Sequence, residues 1–220
     1  MIWSWEYTLE VLPKLLEVVH ITLLATLTAF VVAMALGLVL ALARMSHFKP
    51  LSYITYWFVE FVRTTPLLVQ LFFIFYVLPT SFGITLSPFV AGVLGLGIHY
   101  STYMSEVYRA GINSVDKGQW EAAIALNFST RQKWQTVILP QAIRPVVPVM
   151  GNYLIVMFKE TPVLSAITLV ELLGRAQILG SQSFRYLEPF TLVGIFFLII
   201  SYSAALLVRK LELRLDLNQK

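Results

Sequence analysis

Apolar residues occupy this chain in long blocks, with polar residues gathered between them. A bilayer's hydrocarbon core is about 30 Å thick and takes roughly 20 apolar residues per helix. Runs of that size fall at Ile21–Ala43, Tyr53–Leu78, Pro88–Tyr108, Pro145–Ile167 and Pro189–Val208. The second run holds Pro66, which predicts a tilt or kink rather than two separate elements. Ahead of the first run, Trp3, Trp5 and Tyr7 lead into Leu9, Leu12, Leu15, Leu16 and Val19, spaced as a short amphipathic helix over residues 1–20 at the membrane interface. Glu6, Glu10 and Glu17 give that stretch the wrong charge for a signal peptide, so it is expected to remain in the mature protein. The pattern predicts one all-α integral membrane domain over residues 1–220, with five transmembrane helices and an N-terminal interfacial helix.

Composition agrees with a lipid solvent: 58% of residues are hydrophobic and 13% charged, which on a soluble protein would leave large exposed apolar patches. With no cysteine, disulfides, thiol catalysis and cysteine zinc sites are excluded, and His20, His47 and His99 are too scattered to suggest a metal cluster. Neither a metal nor a cofactor is expected in this chain. The net charge of +4 does not point to nucleic acid, because the cations lie at the ends of the apolar runs, where they report orientation. With the N-terminus outside, Arg44, Lys49, Arg109, Lys117, Arg131, Lys133, Arg144, Arg209, Lys210, Arg214 and Lys220 all face the cytoplasm. Only Lys14, Arg175 and Arg185 face outward, and Arg63 and Lys159 fall within spans.

A charge inside a bilayer costs on the order of 2.5–3.5 kcal/mol and usually faces the bundle or a wet cavity. Glu60 and Arg63 share a helical face, and at about 1.5 Å per residue Arg63 lies roughly 15 Å into the second run, near mid-membrane. Gln70 lies on that face two turns further out. Lys159 lies about 21 Å along the fourth run, with Asn152 on its face and Glu160 about 100° away. A zwitterion needs a cation for its carboxylate and an anion or carbonyl for its positive end. Arg63 or Lys159 suits the first, and Glu60 or Glu160 the second. Equally, Glu60–Arg63 is an internal ion pair that lets the helix insert cheaply. Gly95, His99, Thr102 and Glu106 form a polar and small stripe on the third run; His99 either lines a path or makes a helix–helix hydrogen bond. Glu106 and Arg109 read as a local ion pair. On the first run, Thr22, Ala25, Thr26, Ala29, Ala33 and Gly37 make a face for close helix packing.

The longest basic connection, residues 111–144, reads as two short helices. The first covers Gln119–Leu126; Asn127 suits a left-handed turn, and Ser129 to Gln132 has the spacing of a capping box opening a second helix that ends at Pro140. Glu121-Ala122-Ala123, then Asn127, then Val137-Ile138-Leu139-Pro140 resembles the EAA loop of ABC importer permeases, with Asn127 for the usual glycine and Val137 for the usual isoleucine. Arg63-Thr64-Thr65-Pro66 and Lys159-Glu160-Thr161-Pro162 resemble motifs of the polar amino acid permease family. Gly97-Ile98-His99-Tyr100, Gly118-Gln119-Trp120-Glu121 and Phe184-Arg185-Tyr186-Leu187-Glu188-Pro189 resemble one branch, the D-type permease of ectoine and hydroxyectoine uptake systems.

The resemblance implies a type I importer permease (MetI-like) fold in a bacterial inner membrane, with the N-terminus outside and the C-terminus in the cytoplasm. It also implies a second permease copy or sibling, a dimer of ATP-binding subunits and an extracytoplasmic solute-binding protein, met by the outer connection over residues 168–188. No GxxxxGK[ST] pattern occurs, so ATP is expected on the partner and this chain is not expected to be an enzyme. The EAA loop becomes the coupling element, through Glu121, Ala122, Ala123, Asn127, Leu139 and Pro140. Trp120 and Phe128 either join the docking surface or pack the loop onto the spans. An ion-coupled carrier working alone is the competing reading.

Overall fold

The computed structural model describes residues 3–215, all helix and connections with no strand among them. Lys220, counted above with the cytoplasmic cations, lies outside the described residues. The helices are α1 (Trp5–Arg44), α2 (Lys49–Thr64), α3 (Leu67–Phe82), α4 (Pro88–Asn113), α5 (Lys117–Ala125), α6 (Thr130–Ile167), α7 (Leu172–Ser183) and α8 (Leu187–Arg214).

Of these, α1, α6 and α8 are long and apolar enough to cross a membrane, and α2 with α3 would count as one broken span. The central helix α4 is not in that set. Its 26 residues are long enough, but its glycines, serines and tyrosines dilute its hydropathy, because it packs on protein through most of its circumference.

The first two expectations need correction. No break separates an interfacial helix from a span near residue 20: α1 is one helix of 40 residues. Its opening turns pack on the protein itself, with Val11, Leu15 and Val18 buried against Leu172, Ala176, Leu179, Leu192 and Val193. The Glu188 carboxylate accepts from the Ser4 amide at 3.0 Å, and the Tyr7 hydroxyl donates to the Leu179 carbonyl at 3.2 Å. The connection over 168–188 is accordingly not an open loop but contains α7, whose amphipathic face supplies half of that contact.

The second correction concerns Pro66. The chain does not kink there but breaks, with α2 and α3 meeting at 103°. Proline lacks an amide hydrogen and disfavours helical geometry in the residue before it; Thr65 is extended, with ψ at 139°. Pro140, expected to end a helix, instead lies within one. A widened turn over Lys133–Ile138 makes i→i+5 bonds, such as the Leu139 amide to the Trp134 carbonyl, and this moves the proline ring clear of the carbonyl it would otherwise strike.

The core is the contact of α1 with α4. Thr22, Ala25, Thr26, Ala29, Ala33 and Gly37 are all buried, as their spacing predicts. A Cβ at Gly37 would stand 2.5 Å from the Met104 Cβ and 2.9 Å from the Ser101 carbonyl oxygen, so only glycine allows this approach. Outward faces stay apolar: 28% of α1's most apolar stretch and 11% of α8's are buried within the chain, so lipid or a partner must cover the rest.

Candidate functional site

The break at Pro66 frees backbone carbonyls at the end of α2, and Gln70 from the first turn of α3 satisfies them. Its amide nitrogen lies 2.7 Å from the Val62 carbonyl, 3.2 Å from the Thr65 carbonyl and 2.6 Å from the Thr65 hydroxyl. A carbonyl only accepts, so the nitrogen must face it and the Gln70 oxygen must face away. That oxygen lies 3.2 Å from the His99 Nδ1, which therefore carries a proton and donates it. His99 thus makes a helix–helix hydrogen bond, between α4 and α3.

Around His99 the structure gathers residues that a search for charges passes over. The His99 ring meets Tyr100 and Tyr103 with centroids 5.3 Å and 5.4 Å away, and Tyr153 from α6 meets the same two tyrosines at 6.1 Å and 5.8 Å. The Arg63 guanidinium lies 5.3 Å from the centre of the Tyr103 ring. Glu160, half-buried on α6, is close enough for its charge to act on the Tyr100 hydroxyl and the His99 ring. A belt of three tyrosines and a histidine thus connects a cation from α2 to a carboxylate from α6. Tyrosine faces attract cations and tyrosine hydroxyls bind carboxylates, so the belt offers partners for both ends of a zwitterion. A cavity of about 400 Å³ opens beside it, walled by Arg63, Tyr103, Glu106, Val149 and Tyr153.

The predicted residues divide. Arg63, Gln70, His99 and Glu160 come together at this belt. Glu60 stays at its edge, 3.6 Å from Arg63, with both side chains about one-third exposed. Asn152 and Lys159 are exposed on α6, outside the cluster. Tyr100, Tyr103 and Tyr153 were missed, although the place of Tyr100 and Tyr103 on or beside the Gly95–His99–Thr102 stripe was a usable signal; Tyr153 comes from α6 and gave none.

A second assembly lies at the end of the bundle where α1 and α4 finish. Asp116 caps α5 by accepting from the Gly118 amide at 2.7 Å. Asn127 has φ of 54°, the left-handed turn expected of it, and the Phe128 amide closes the helix on the Ala123 carbonyl at 3.0 Å. The capping box of Ser129 and Gln132 is formed in both directions. Ala123 is buried, whereas Glu121, Ala122, Ile124, Leu126 and Phe128 are exposed. Ile124 is 61% and Leu126 68% exposed, an apolar surface on a short helix of the kind a partner covers. Trp120 is half-buried, edge-on to Trp134 at 5.2 Å, and packs with the cluster of Ile112, Val115 and Ile138. It fastens the loop to the spans, while Phe128 joins the exposed face. Leu139 and Pro140 are exposed at the foot of α6.

Comparison with known proteins identifies the family. The family described as binding-protein-dependent transport system inner membrane component matches residues 33–217. A probable amino-acid ABC transporter permease of Sinorhizobium fredii is 45% identical, over 95% of this chain and 90% of its own length. The arginine transport system permease of Bacillus subtilis is 33% identical over 98% of both chains. Among solved structures, an amino acid ABC transporter crystallised with histidines superposes with a TM-score of 0.92 at 35% identity, covering 97% of this chain and all of that one. The inward-facing methionine ABC transporter, at 18% identity and a TM-score of 0.65, shares the fold. The chain therefore belongs to the binding-protein-dependent transport system inner membrane components, as a permease subunit of an amino-acid ABC transporter, and it is a transport component and not an enzyme.

Proposed function

We propose that this permease carries a zwitterionic amino-acid derivative inward, with ectoine or hydroxyectoine as the favoured solute, and that ATP hydrolysis on a partner subunit drives it. The observation that carries the reading is the belt of Tyr100, Tyr103, Tyr153 and His99 with the Arg63 guanidinium over the Tyr103 ring. In this reading the Arg63 guanidinium holds the solute carboxylate. The delocalised cation of an ectoine-like ring lies against Tyr100 and Tyr103, with Glu160 balancing its charge. A delocalised cation gains more from aromatic faces than a small ammonium does, which together with the branch motifs favours this solute class. The relatives named above include an arginine permease, and a cystine permease of Bacillus subtilis is 38% identical, so those amino acids are the competitors to test.

The chain carries no nucleotide-binding loop, so the energy enters mechanically. The exposed face of Glu121, Ile124, Leu126 and Phe128 docks on the ATPase, and its movement is passed to α4 and α6 through the Trp120–Trp134 contact. The N-terminus lies outside and the C-terminus in the cytoplasm, supported by the meeting of Arg44 and Arg109 at the end opposite to Trp5 and α7. A second permease subunit covers part of the exposed apolar surface, and a binding protein delivers solute at the α7 end.

Reconstitution with the ATPase and binding-protein partners tests the proposal. ATP-dependent uptake of labelled ectoine, exceeding that of arginine or cystine and abolished by Glu121→Arg, is expected. Uptake driven by a proton gradient without ATP would overturn the mechanism, and preference for arginine would overturn the solute.

A further inference from the structure

At the end of the bundle away from α7, a cavity of about 390 Å³ opens between α1, α2 and α4, separate from the tyrosine belt. Its walls carry Arg44, Lys49 and Arg109 with Ser46, Tyr53 and Tyr56. The carboxylate paired with these cations is Glu106, in the wall of the neighbouring cavity, which meets Arg44 and, at 3.0 Å, Arg109. Three cations against one anion leave a surplus of two positive charges around a polar cavity. Arg44 is held in place: its side chain is 9% exposed, its guanidinium lies 5.1 Å from the Tyr56 ring centre, and its carbonyl accepts from the Ser52 hydroxyl at 2.7 Å. The Arg109 Nε is buried with no hydrogen-bond partner among the described residues. The amino end of α2 adds to the same field, since it has no acidic residue in its first turn and no side-chain cap.

We infer that this cavity binds the phosphate of an anionic phospholipid headgroup. The position of the cavity selects a lipid over a free anion. It sits where the apolar course of α1 ends at Arg44, the level of the headgroups. The same two helices carry exposed apolar side chains next in sequence to the cavity residues, Leu42 on α1 at 56% and Ile54 and Trp57 on α2 at 67% and 54% exposed, so acyl chains would lie along these helices while the phosphate entered between Lys49 and Arg109. Basic pockets between transmembrane helices bind anionic headgroups in this manner, each nearby Lys or Arg strengthening the attraction. The solute reading does not enter this argument.

The test is native mass spectrometry of the permease purified with its ATPase partner and titrated with phosphatidylglycerol, phosphatidylcholine or soluble glycerol phosphate. Phosphatidylglycerol should be retained over phosphatidylcholine, with affinity about fivefold weaker in Lys49→Gln and again in Arg109→Gln. Arg109→Lys should hold near wild type, separating lost charge from lost fold. Equal retention of the two phospholipids, or unchanged affinity in Lys49→Gln, would overturn the assignment. Displacement of phosphatidylglycerol by glycerol phosphate at comparable concentration would show a free-phosphate site and overturn the lipid source.

Discussion

The Gln70 side-chain oxygen accepts from the His99 Nδ1 at 3.2 Å while its nitrogen engages the Val62 and Thr65 carbonyls. One amide therefore ties the broken end of α2 to α4 and makes Nδ1 of the histidine at the centre of the tyrosine belt a donor. Gln70→Leu, close in volume, removes every one of these bonds. A buried polar group left without a partner costs about 1–3 kcal/mol, so a loss of that order is expected in the thermal stability of the purified complex, together with impaired uptake. Gln70→Glu keeps an acceptor for His99 but cannot donate to the carbonyls, and should recover less than half of the loss. Wild-type stability in Gln70→Leu would mean that the break at Pro66 is held by Thr65 alone.

Ile124 and Ala123 are adjacent on α5 and should respond in opposite ways. Ile124 is exposed and touches nothing the isolated permease needs, so Ile124→Glu should change its stability by no more than about 0.5 kcal/mol. Co-purification of the ATPase should nevertheless fall at least tenfold. Ala123 is 2% exposed, and Ala123→Leu should destabilise the loop by about 1–3 kcal/mol through overpacking. Retained ATPase in Ile124→Glu would remove this face from the docking surface.

Much of this architecture could be read from the chain, because it follows from local chemistry. The small-residue face ending at Gly37, the left-handed Asn127 and the capping box of Ser129 and Gln132 each need only their neighbours, and each is found as expected. What escaped depends on distant partners. Thr65 can be extended inside the protein because Gln70 receives the carbonyls that the break exposes. Residues 5–20 stay in line with α1 because α7 and Glu188 receive them. Pro140 sits inside a helix because a widened turn makes room for its ring. The tyrosine belt was hidden for another reason: its members are uncharged, so they cost too little in a membrane to stand out.

Glu171 makes the α7 end of the bundle sensitive to pH. One of its oxygens caps α7, accepting from the Gly174 amide at 2.7 Å, while the other is buried without a partner among the described residues. The nearest cation on α7, Arg175, is turned to Glu17 at 3.8 Å. Burial pushes the Glu171 carboxyl from 4.5 up to about 7, and the amide bonds from Gly174 and Leu173 only partly oppose it. A carboxyl whose folded pKa is raised favours the folded state most when protonated, below its unfolded pKa. That stability is lost as pH rises from about 4.5 through about 7. Glu171→Gln keeps the capping oxygen and abolishes the charge. It should be the more stable protein at pH 8, by up to about 3 kcal/mol, and should lose the wild type's decline in melting temperature between pH 5 and 8. Parallel pH profiles for the two proteins would show that Glu171 titrates normally.

Glu60 and Arg63 distinguish a solute site from a device for membrane insertion. Their separation of 3.6 Å with both side chains about one-third exposed makes the pair weak, of the order of 0.5 kcal/mol. Arg63 also has the Tyr103 ring beneath it, so it stays in place when Glu60 is neutralised. Glu60→Gln should therefore leave folding unchanged and preserve or improve the KM for solute in ATPase-coupled uptake, since Arg63 loses its competing carboxylate. Arg63→Lys retains the charge but not the planar fork, and should raise KM about tenfold with little change in kcat, the mark of lost ground-state binding. Arg63→Gln should raise it further. If the pair serves insertion alone, Glu60→Gln and Arg63→Gln will instead lower the amount of folded complex alike and leave the KM of the survivors where it was.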